Sequence, residues 1–171
     1  YLINCAGVFF VNSREKIEDI SLNEWNAVYK NNATSVMLIT KYSLPFMKSS
    51  QGDKAIVNIS SDQVKYPRSK NTSYATSKSA IECFSKACAA ELLREKIRVN
   101  VVRAASVKTG FIKKLAGDVS KECRIYNKEN SKMPFGLIYP EDVAELVFFL
   151  GSDKSIRLTG QAILIDSGLY V

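Results

Sequence analysis

The sequence predicts an α/β protein in which a parallel sheet is covered by helices on both faces. Short strand-like apolar runs alternate with long amphipathic stretches, and this alternation is typical of repeated β–α–β units. The runs are almost uniformly apolar, as expected for strands that are buried on both faces. They comprise residues 2–5, 55–59, 99–102 and 162–165. With 171 residues, 46% of them hydrophobic, the chain has enough apolar material for one domain with an ordinary core.

Three helices are predicted between the strands. Ser21 and Glu24 have the spacing of a capping box, and apolar residues follow at roughly helical intervals toward Pro45. A second helix is predicted from about residue 73 to 94, where apolar positions again recur at helical spacing. A third is predicted over residues 140–150, because it has proline at its first position and glycine directly after its last turn.

Two parts of the chain are predicted to depart from this regular pattern. Tyr1 leads directly into a strand-like run without a leader pattern, so we expect the chain to begin inside a fold. Residues 109–139 contain scattered glycine and proline and are predicted to form an irregular substrate-loop segment with short helices. We therefore expect residues 1–171 to form a single, N-terminally truncated domain.

Composition narrows the classes of function. The net charge is +7, but the lysines are scattered, so we expect no nucleic-acid partner. No apolar run approaches the ~20 residues of a membrane helix, which predicts a soluble protein without a membrane partner. The four cysteines lack CxxC spacing and are expected to be reduced thiols in the cytoplasm. The absence of histidine excludes Ser-His-Asp and Cys-His mechanisms and argues against a metal site.

The strongest chemical signal is the pair Tyr74 and Lys78, which lie 78 − 74 = 4 residues apart on one face of the second helix. A tyrosine free in water titrates near ~10 and is a poor acid or base at neutral pH. A fixed ammonium group would lower that pKa, so that Tyr74 could donate a proton to a carbonyl or remove one from an alcohol. Ser61 follows the strand of residues 55–59, at the edge where open α/β sheets present functional side chains.

Each of these residues also has a purely structural interpretation. The YxxxK spacing on a helix often arises by chance. Tyr74 could be a surface aromatic residue, and Lys78 could be a helix lysine whose stem packs on apolar surface. Ser61 could be a strand-end hydroxyl, and Asn32 could merely cap or interrupt a helical turn. The pair therefore needs companion motifs before it indicates catalysis.

Such companions are present in order along the chain. Ser61 precedes Tyr74 by 74 − 61 = 13 residues, and Asn32 lies within the first predicted helix. With these, the sequence resembles the short-chain dehydrogenase/reductase family across essentially its whole length. Four further segments carry the resemblance: Asn4-Cys5-Ala6-Gly7 (NNAG in the family), Ile97-Arg98-Val99-Asn100 (IRVN), Val107 with Thr109 (VxT), and Asp166-Ser167-Gly168 (DGG).

The resemblance implies a Rossmann-like, doubly wound sheet and an oxidoreductase that transfers hydride between NAD or NADP and a small carbonyl or alcohol substrate. It implies that Tyr74 is the acid/base and that Lys78 lowers its pKa and holds the nicotinamide ribose. Ser61 would orient the substrate oxygen, and Asn32 would position a relay water. A homodimer or homotetramer is also implied, through the helices near 22–48 and 73–94. Besides Tyr74 and Lys78, the implied cofactor contacts are Asn4, Ala6, Gly7, Val107 and Thr109.

The departures from the family pattern keep other interpretations open. The sequence has no glycine-rich phosphate loop, so the chain could be a non-catalytic remnant or structural partner that does not bind cofactor by itself. Epimerase or dehydratase chemistry is a third possibility. Ala104-Ala105 replaces the usual Pro-Gly, and Ala105 would be strained if its backbone required a positive φ. Apolar residues that could line a substrate pocket, or merely pack a lid, are Phe111, Ile112, Leu115, Met133 and Phe135.

Overall fold

Four parallel strands form one sheet in a computed structural model that describes residues 1–9, 16–110, 128 and 131–171. The strands lie side by side in chain order. They run in parallel register, with Ile3 beside Val57 and Val57 beside Asn100. The bounds are Leu2–Asn4 (β1), Lys54–Ser61 (β2), Ile97–Ala104 (β3) and Ala162–Ile165 (β4).

The helices of the described residues are Leu22–Tyr29 (α1), Ser35–Ser49 (α2), Thr72–Glu91 (α3) and Pro140–Gly151 (α4). The Ser21 hydroxyl accepts a hydrogen bond from the Glu24 backbone N–H at 3.2 Å, which confirms the predicted helix start. The first predicted helix is in fact two helices, because a π-helical turn at Lys30–Thr34 separates α1 from α2. Short 3-10 turns occur at Ile17–Asp19, Asp62–Val64 and Asp153–Ser155.

Two apolar clusters cover the opposite faces of the sheet. Successive side chains of a strand point to opposite faces, and this alternation separates Ile56 from Val57. Ile56 packs with residues of α2 and α3, including Met47 and Ala89. Val57 packs on the other face with residues of α4, including Leu150. The expected arrangement of a parallel sheet between two helical layers is confirmed.

Arg98 joins the start of β3 to the end of α4. Its side chain is buried, and Nη1 donates hydrogen bonds to the Leu150 carbonyl oxygen at 2.8 Å and to Ser155 Oγ at 2.8 Å. Nη2 donates to Asp53 Oδ2 at 2.8 Å and to the carbonyl oxygens of residues 151 and 152. The guanidinium group thus binds carbonyl groups at the end of a helix, which have no partner within that helix.

Two further observations bear on the sequence predictions. The cysteines that the structure describes are free thiols: Cys5, Cys83 and Cys88. Among the described helices, none has the length and apolar character needed to cross a membrane.

Candidate active site

A cleft of about 590 Å³ opens at the carboxyl ends of the strands. The ends of β2 and β3 form its floor, and the first turns of α3 form one wall. Such a cleft beyond the carboxyl ends of parallel strands is where open α/β sheets bind ligands. Its lining includes these predicted site residues: Gly7, Ser61, Tyr74, Lys78, Val107 and Thr109.

Lys78 is buried at the base of this cleft. Its Nζ atom donates a hydrogen bond to the Ile59 carbonyl oxygen at 3.0 Å and lies 5.8 Å from the centroid of the Tyr74 ring. Burial disfavours the charged form of the amine and lowers the pKa of Lys78 to about 8. A Cβ atom at Gly7 would lie 3.1 Å from Nζ, so the glycine allows the backbone to approach the ammonium group closely.

The pKa of Tyr74 is shifted upward, whereas the sequence predicts that it is lowered. Burial is the largest cause that raises the pKa of its phenol, to about 12, and a hydrogen bond with Ser61 acts in the lowering direction. The nearby carboxylate of Asp62 raises the pKa further, and the Arg68 guanidinium lowers it. The expected depression by Lys78 is therefore not found, because removal of the phenolate from water outweighs the favourable charges.

Ser61 ends β2 and is part of a hydrogen-bonded network around a buried carboxylate. Its hydroxyl donates to Asp62 Oδ1 at 2.9 Å and accepts from the Gln63 backbone N–H at 3.2 Å. The other carboxylate oxygen, Asp62 Oδ2, accepts from Arg68 Nη2 at 2.9 Å and from the Tyr170 hydroxyl at 2.6 Å. Asp62 is only 2% exposed, so its charge is stabilised by these donors rather than by water.

Asn32 lies behind the cleft wall, within the π-helical turn. Its Oδ1 accepts from the Val8 backbone N–H at 2.7 Å, and its Nδ2 donates to the Val8 carbonyl oxygen at 3.0 Å. The same Nδ2 donates to Ser77 Oγ at 3.0 Å. One amide side chain thereby joins the loop after β1 to the helix that carries Tyr74 and Lys78.

The predicted cofactor contacts fall into two groups. Gly7, Val107 and Thr109 line the cleft. Asn4 is buried in the core instead, where its Nδ2 donates to Asn58 Oδ1 at 2.7 Å. Ala6 is exposed but is not among the residues that line the cleft. The structure therefore brings the first group to Tyr74 and Lys78 and leaves Asn4 with a role in joining β1 to β2.

The structure bears on two questions that the sequence left open about flanking residues. Ala105 does not adopt a positive φ, so the strain considered for it is absent, and its N–H donates to the Ile165 carbonyl oxygen at 3.0 Å. Met133 is buried and Phe135 is 88% exposed, and neither lines the cleft. The other three apolar candidates, Phe111, Ile112 and Leu115, lie outside the described residues.

The structure adds cleft residues that the motifs did not indicate. Asp62 and Arg68 form an ion pair at 2.9 Å, and Asn71 Nδ2 donates to Gln63 Oε1 at 2.8 Å. Asn71 Oδ1 is buried, and no donor among the residues that the structure describes binds it. The opposite charges of Asp62 and Arg68, placed between Ser61 and Tyr74 in the chain, were the available sequence signal. The pairing itself depends on how residues 62–71 fold over the cleft.

Comparisons with known proteins agree with this architecture. A family model described as enoyl-(acyl carrier protein) reductase matches residues 1–170. A 3-oxoacyl-[acyl-carrier-protein] reductase of Thermotoga maritima is 34% identical over 175 residues, which cover 99% of this chain and 65% of that protein. The (3R)-3-hydroxyacyl-CoA dehydrogenase of Rattus norvegicus is 30% identical over 171 residues, which cover 99% of this chain and 62% of that protein.

A solved structure is similar over the same extent. The aldohexose dehydrogenase of Thermoplasma acidophilum, in its ligand-free form, superimposes with a TM-score of 0.91 at 29% sequence identity. The superposition covers 98% of this chain and 66% of that one. The chain thus spans about two thirds of the length of these relatives.

Proposed function

Since this chain belongs to the short-chain dehydrogenase/reductase family of oxidoreductases, we propose that its protein transfers hydride between NAD or NADP and a small carbonyl or alcohol substrate. The observation that carries the proposal is the convergence of Ser61, Tyr74 and Lys78 in one cleft at the carboxyl ends of the strands. Two separate parts of the sequence supply these groups, Ser61 at the end of β2 and the YxxxK pair on α3, which makes a chance match of the YxxxK spacing a poor explanation.

The residues present fit the ribose end of a nicotinamide cofactor. An ammonium group has three N–H donors, and among the described residues Lys78 donates to one acceptor, the Ile59 carbonyl oxygen. The remaining donors can bind vicinal hydroxyls, and Gly7 leaves room for a ligand because it has no side chain. Val107 and Thr109 line the cleft on the side of β3. When bound, the nicotinamide ring would supply or accept the hydride.

Tyr74 would move the proton at the substrate oxygen. With a pKa of about 12, the phenol stays protonated at neutral pH and is ready to donate to a carbonyl oxygen. Ser61 would orient that oxygen from the end of β2. Asn32 would act from behind the wall, because its contacts with Val8 and Ser77 fix the spacing between the loop after β1 and α3. The free protein thus already carries, on Tyr74, the proton that carbonyl reduction would consume.

Association of copies of the chain belongs to the same proposal. The outer surface of α2 exposes large apolar side chains, among them Tyr42 at 65% and Phe46 at 75%. Exposed apolar area of this kind marks interaction surfaces. A homodimer or homotetramer through α1, α2 and α3, in the cytoplasm, would cover it.

The alternative function is that of a non-catalytic relative that keeps the cleft but does not bind cofactor by itself. The sequence feature that favours it is the lack of a glycine-rich phosphate loop in these 171 residues. Backbone N–H groups of such a loop normally bind the cofactor pyrophosphate at a helix N-terminus.

A fluorescence titration of the full natural protein with NADH and NADPH tests the proposal. We expect saturable binding of at least one cofactor and a large loss of affinity in Lys78→Ala. The matched control is Lys86→Ala, which removes an exposed lysine from the same helix. Absence of binding by the full protein would favour the non-catalytic alternative, and equal effects of the two substitutions would remove Lys78 from the cofactor site.

A further inference from the structure

A second hollow of about 550 Å³ adjoins the catalytic cleft. Arg68 and Lys132 line both spaces, so these two side chains stand at the boundary between them. The second hollow lies between the turn that follows Ser61 and the last residues of the chain. Its lining comprises Lys65, Tyr66, Pro67, Arg68, Lys132, Leu169 and Tyr170.

The walls of this hollow carry an excess of positive charge. Lys65, Arg68 and Lys132 contribute three cations, and the described lining includes no carboxylate. Of these three cations, Arg68 forms an ion pair with Asp62. The Asp62 carboxylate is buried and also accepts hydrogen bonds from Ser61 and Tyr170. Among the described residues, no carboxylate forms an ion pair with Lys65 or Lys132.

Aromatic packing holds one wall of the hollow in place. The rings of Tyr66 and Tyr170 stack with centroids 3.8 Å apart and an interplanar angle of 11°. Lys65 Nζ lies 5.2 Å from the Tyr66 ring centroid, and the Tyr170 hydroxyl is tied to Asp62 at 2.6 Å. Burial and that carboxylate raise the pKa of Tyr170 to about 12. The phenol is therefore neutral and does not offset the positive charge around it.

We propose that this basic hollow binds an anionic group, phosphate or carboxylate, of the substrate whose carbonyl or alcohol carbon reacts beside Ser61 and Tyr74. The inference rests on the proposed function and adds the substrate class. Oxyanions bind well where several N–H donors converge, and Arg68 links the two sites because its guanidinium contacts the carboxylate that accepts from Ser61. A substrate that spans both spaces would thus be oriented at both ends.

Anion binding is tested first, without reference to catalysis. Inorganic phosphate and acetate are titrated into the full natural protein by isothermal calorimetry, for the wild type, for Lys65→Gln/Lys132→Gln and for the matched control Lys86→Gln/Lys154→Gln. Each double substitution removes two exposed lysine charges. We expect the first to weaken binding at least about fivefold relative to the control, since a hydrogen bond to a charged group is typically worth that much. Tighter binding of phosphate than of acetate assigns a phosphate ester, and the reverse assigns a carboxylate.

The second test measures substrate preference during turnover. Oxo compounds that carry a terminal phosphate or carboxylate are compared with neutral esters of the same carbon skeleton, by following cofactor oxidation. In the wild type, we expect kcat/KM for the anionic compound to exceed that for its neutral ester at least about fivefold. The ratio of the two kcat/KM values should fall toward one in Lys65→Gln/Lys132→Gln but not in the control. Added salt should lower the ratio by screening.

The outcomes separate the two hypotheses. Equal kcat/KM for anionic and neutral members, or equal phosphate affinity in both double variants, overturns the substrate class while the oxidoreductase activity stands. Absence of turnover with every compound counts against the proposed function. In that case the calorimetric difference between the two double variants still decides whether the hollow binds anions.

Discussion

At the scale of single residues, the buried ammonium of Lys78 is the most consequential feature. A cation without an ion-pair partner in a site shielded from water costs free energy, and the lowered pKa of about 8 expresses that cost. A bound ligand with hydroxyl acceptors would offset it. The charged form of Lys78 is therefore less stable in the empty site than with a ligand bound, and the protonation of Lys78 is coupled to folding.

The coupling predicts how stability depends on pH. The pKa of Lys78 is about 8 in the folded protein, against the ordinary lysine value of 10.5 in the unfolded chain, so between these values the unfolded chain binds more protons. Stability therefore rises with pH across this window. Relative to Lys78→Met, the free energy of unfolding of the wild type should increase by roughly 3 kcal/mol from pH 7 to pH 10.5.

Urea denaturation followed by circular dichroism, at several pH values for both proteins, measures this difference. Tyr74 is present in both, so its own titration cancels in the comparison. A constant difference across the pH range would show that Lys78 keeps an ordinary pKa.

Tyr74→Phe should remove the proton donor and leave the shape of the cleft unchanged. Loss of a general acid of this kind typically lowers kcat by about 100-fold or more. Cofactor affinity, measured by fluorescence, should change little, because Lys78 and Gly7 remain. Tyr29→Phe, on α1 and away from the cleft lining, is the control and should retain activity. Equal kcat values in the two variants would exclude Tyr74 as the acid.

At this scale, sequence reasoning identified the groups but not their energetics. The spacing of Tyr74 and Lys78 was sufficient to place them on one helix face. Their pKa values depend on burial by β2 and by the loop after β1, which no local pattern specifies. The role of Asp62 was missed for the same reason, since its partners are six and 108 positions away along the chain.

At the scale of elements, we expect substitution of Arg98 to lower the free energy of unfolding strongly. Arg98→Met would leave Asp53 without its partner and would remove a donor from each of the carbonyl oxygens that Arg98 binds at the end of α4. Breaking a buried, hydrogen-bonded ion pair typically costs about 3–5 kcal/mol. Arg157→Met, an exposed position, should change the free energy of unfolding by less than about 1 kcal/mol. Urea denaturation of both variants measures the effects, and similar losses would contradict the role assigned to Arg98.

The elements themselves were largely predictable, with two exceptions. Strand and helix positions follow from apolar runs and from caps such as Ser21. The π-helical turn at Lys30–Thr34 was not foreseen, because an inserted residue leaves apolar spacing on either side intact. It places Asn32 toward Val8 and Ser77, and these contacts are tertiary. Similarly, α2 continues beyond Pro45 to Ser49, where sequence rules favour an earlier end.

At the scale of the whole molecule, the exposed apolar surface of α2 predicts association. Tyr42→Glu/Phe46→Glu should convert the proposed homodimer or homotetramer into a smaller species, because burying a carboxylate in an apolar interface is unfavourable. Sedimentation velocity measures the change in mass. Ala144→Glu/Phe148→Glu, which adds two carboxylates at exposed positions of α4 with the same spacing, is the control. An unchanged mass in Tyr42→Glu/Phe46→Glu would place the interface elsewhere.

The hydroxyl of Ser61 has a single hydrogen, and in the free protein that hydrogen points to Asp62. An incoming carbonyl oxygen is a weaker base than a carboxylate and must compete for it. In the proposed reaction the oxygen would become alkoxide-like as hydride arrives and its basicity would rise steeply, so we expect the serine O–H to rotate toward it only late. A contact that strengthens as negative charge grows lowers the barrier more than it tightens substrate binding. Asp62→Ala would release the hydrogen early, which should lower KM while failing to raise kcat, and steady-state kinetics on the reducing reaction would reveal that divergence.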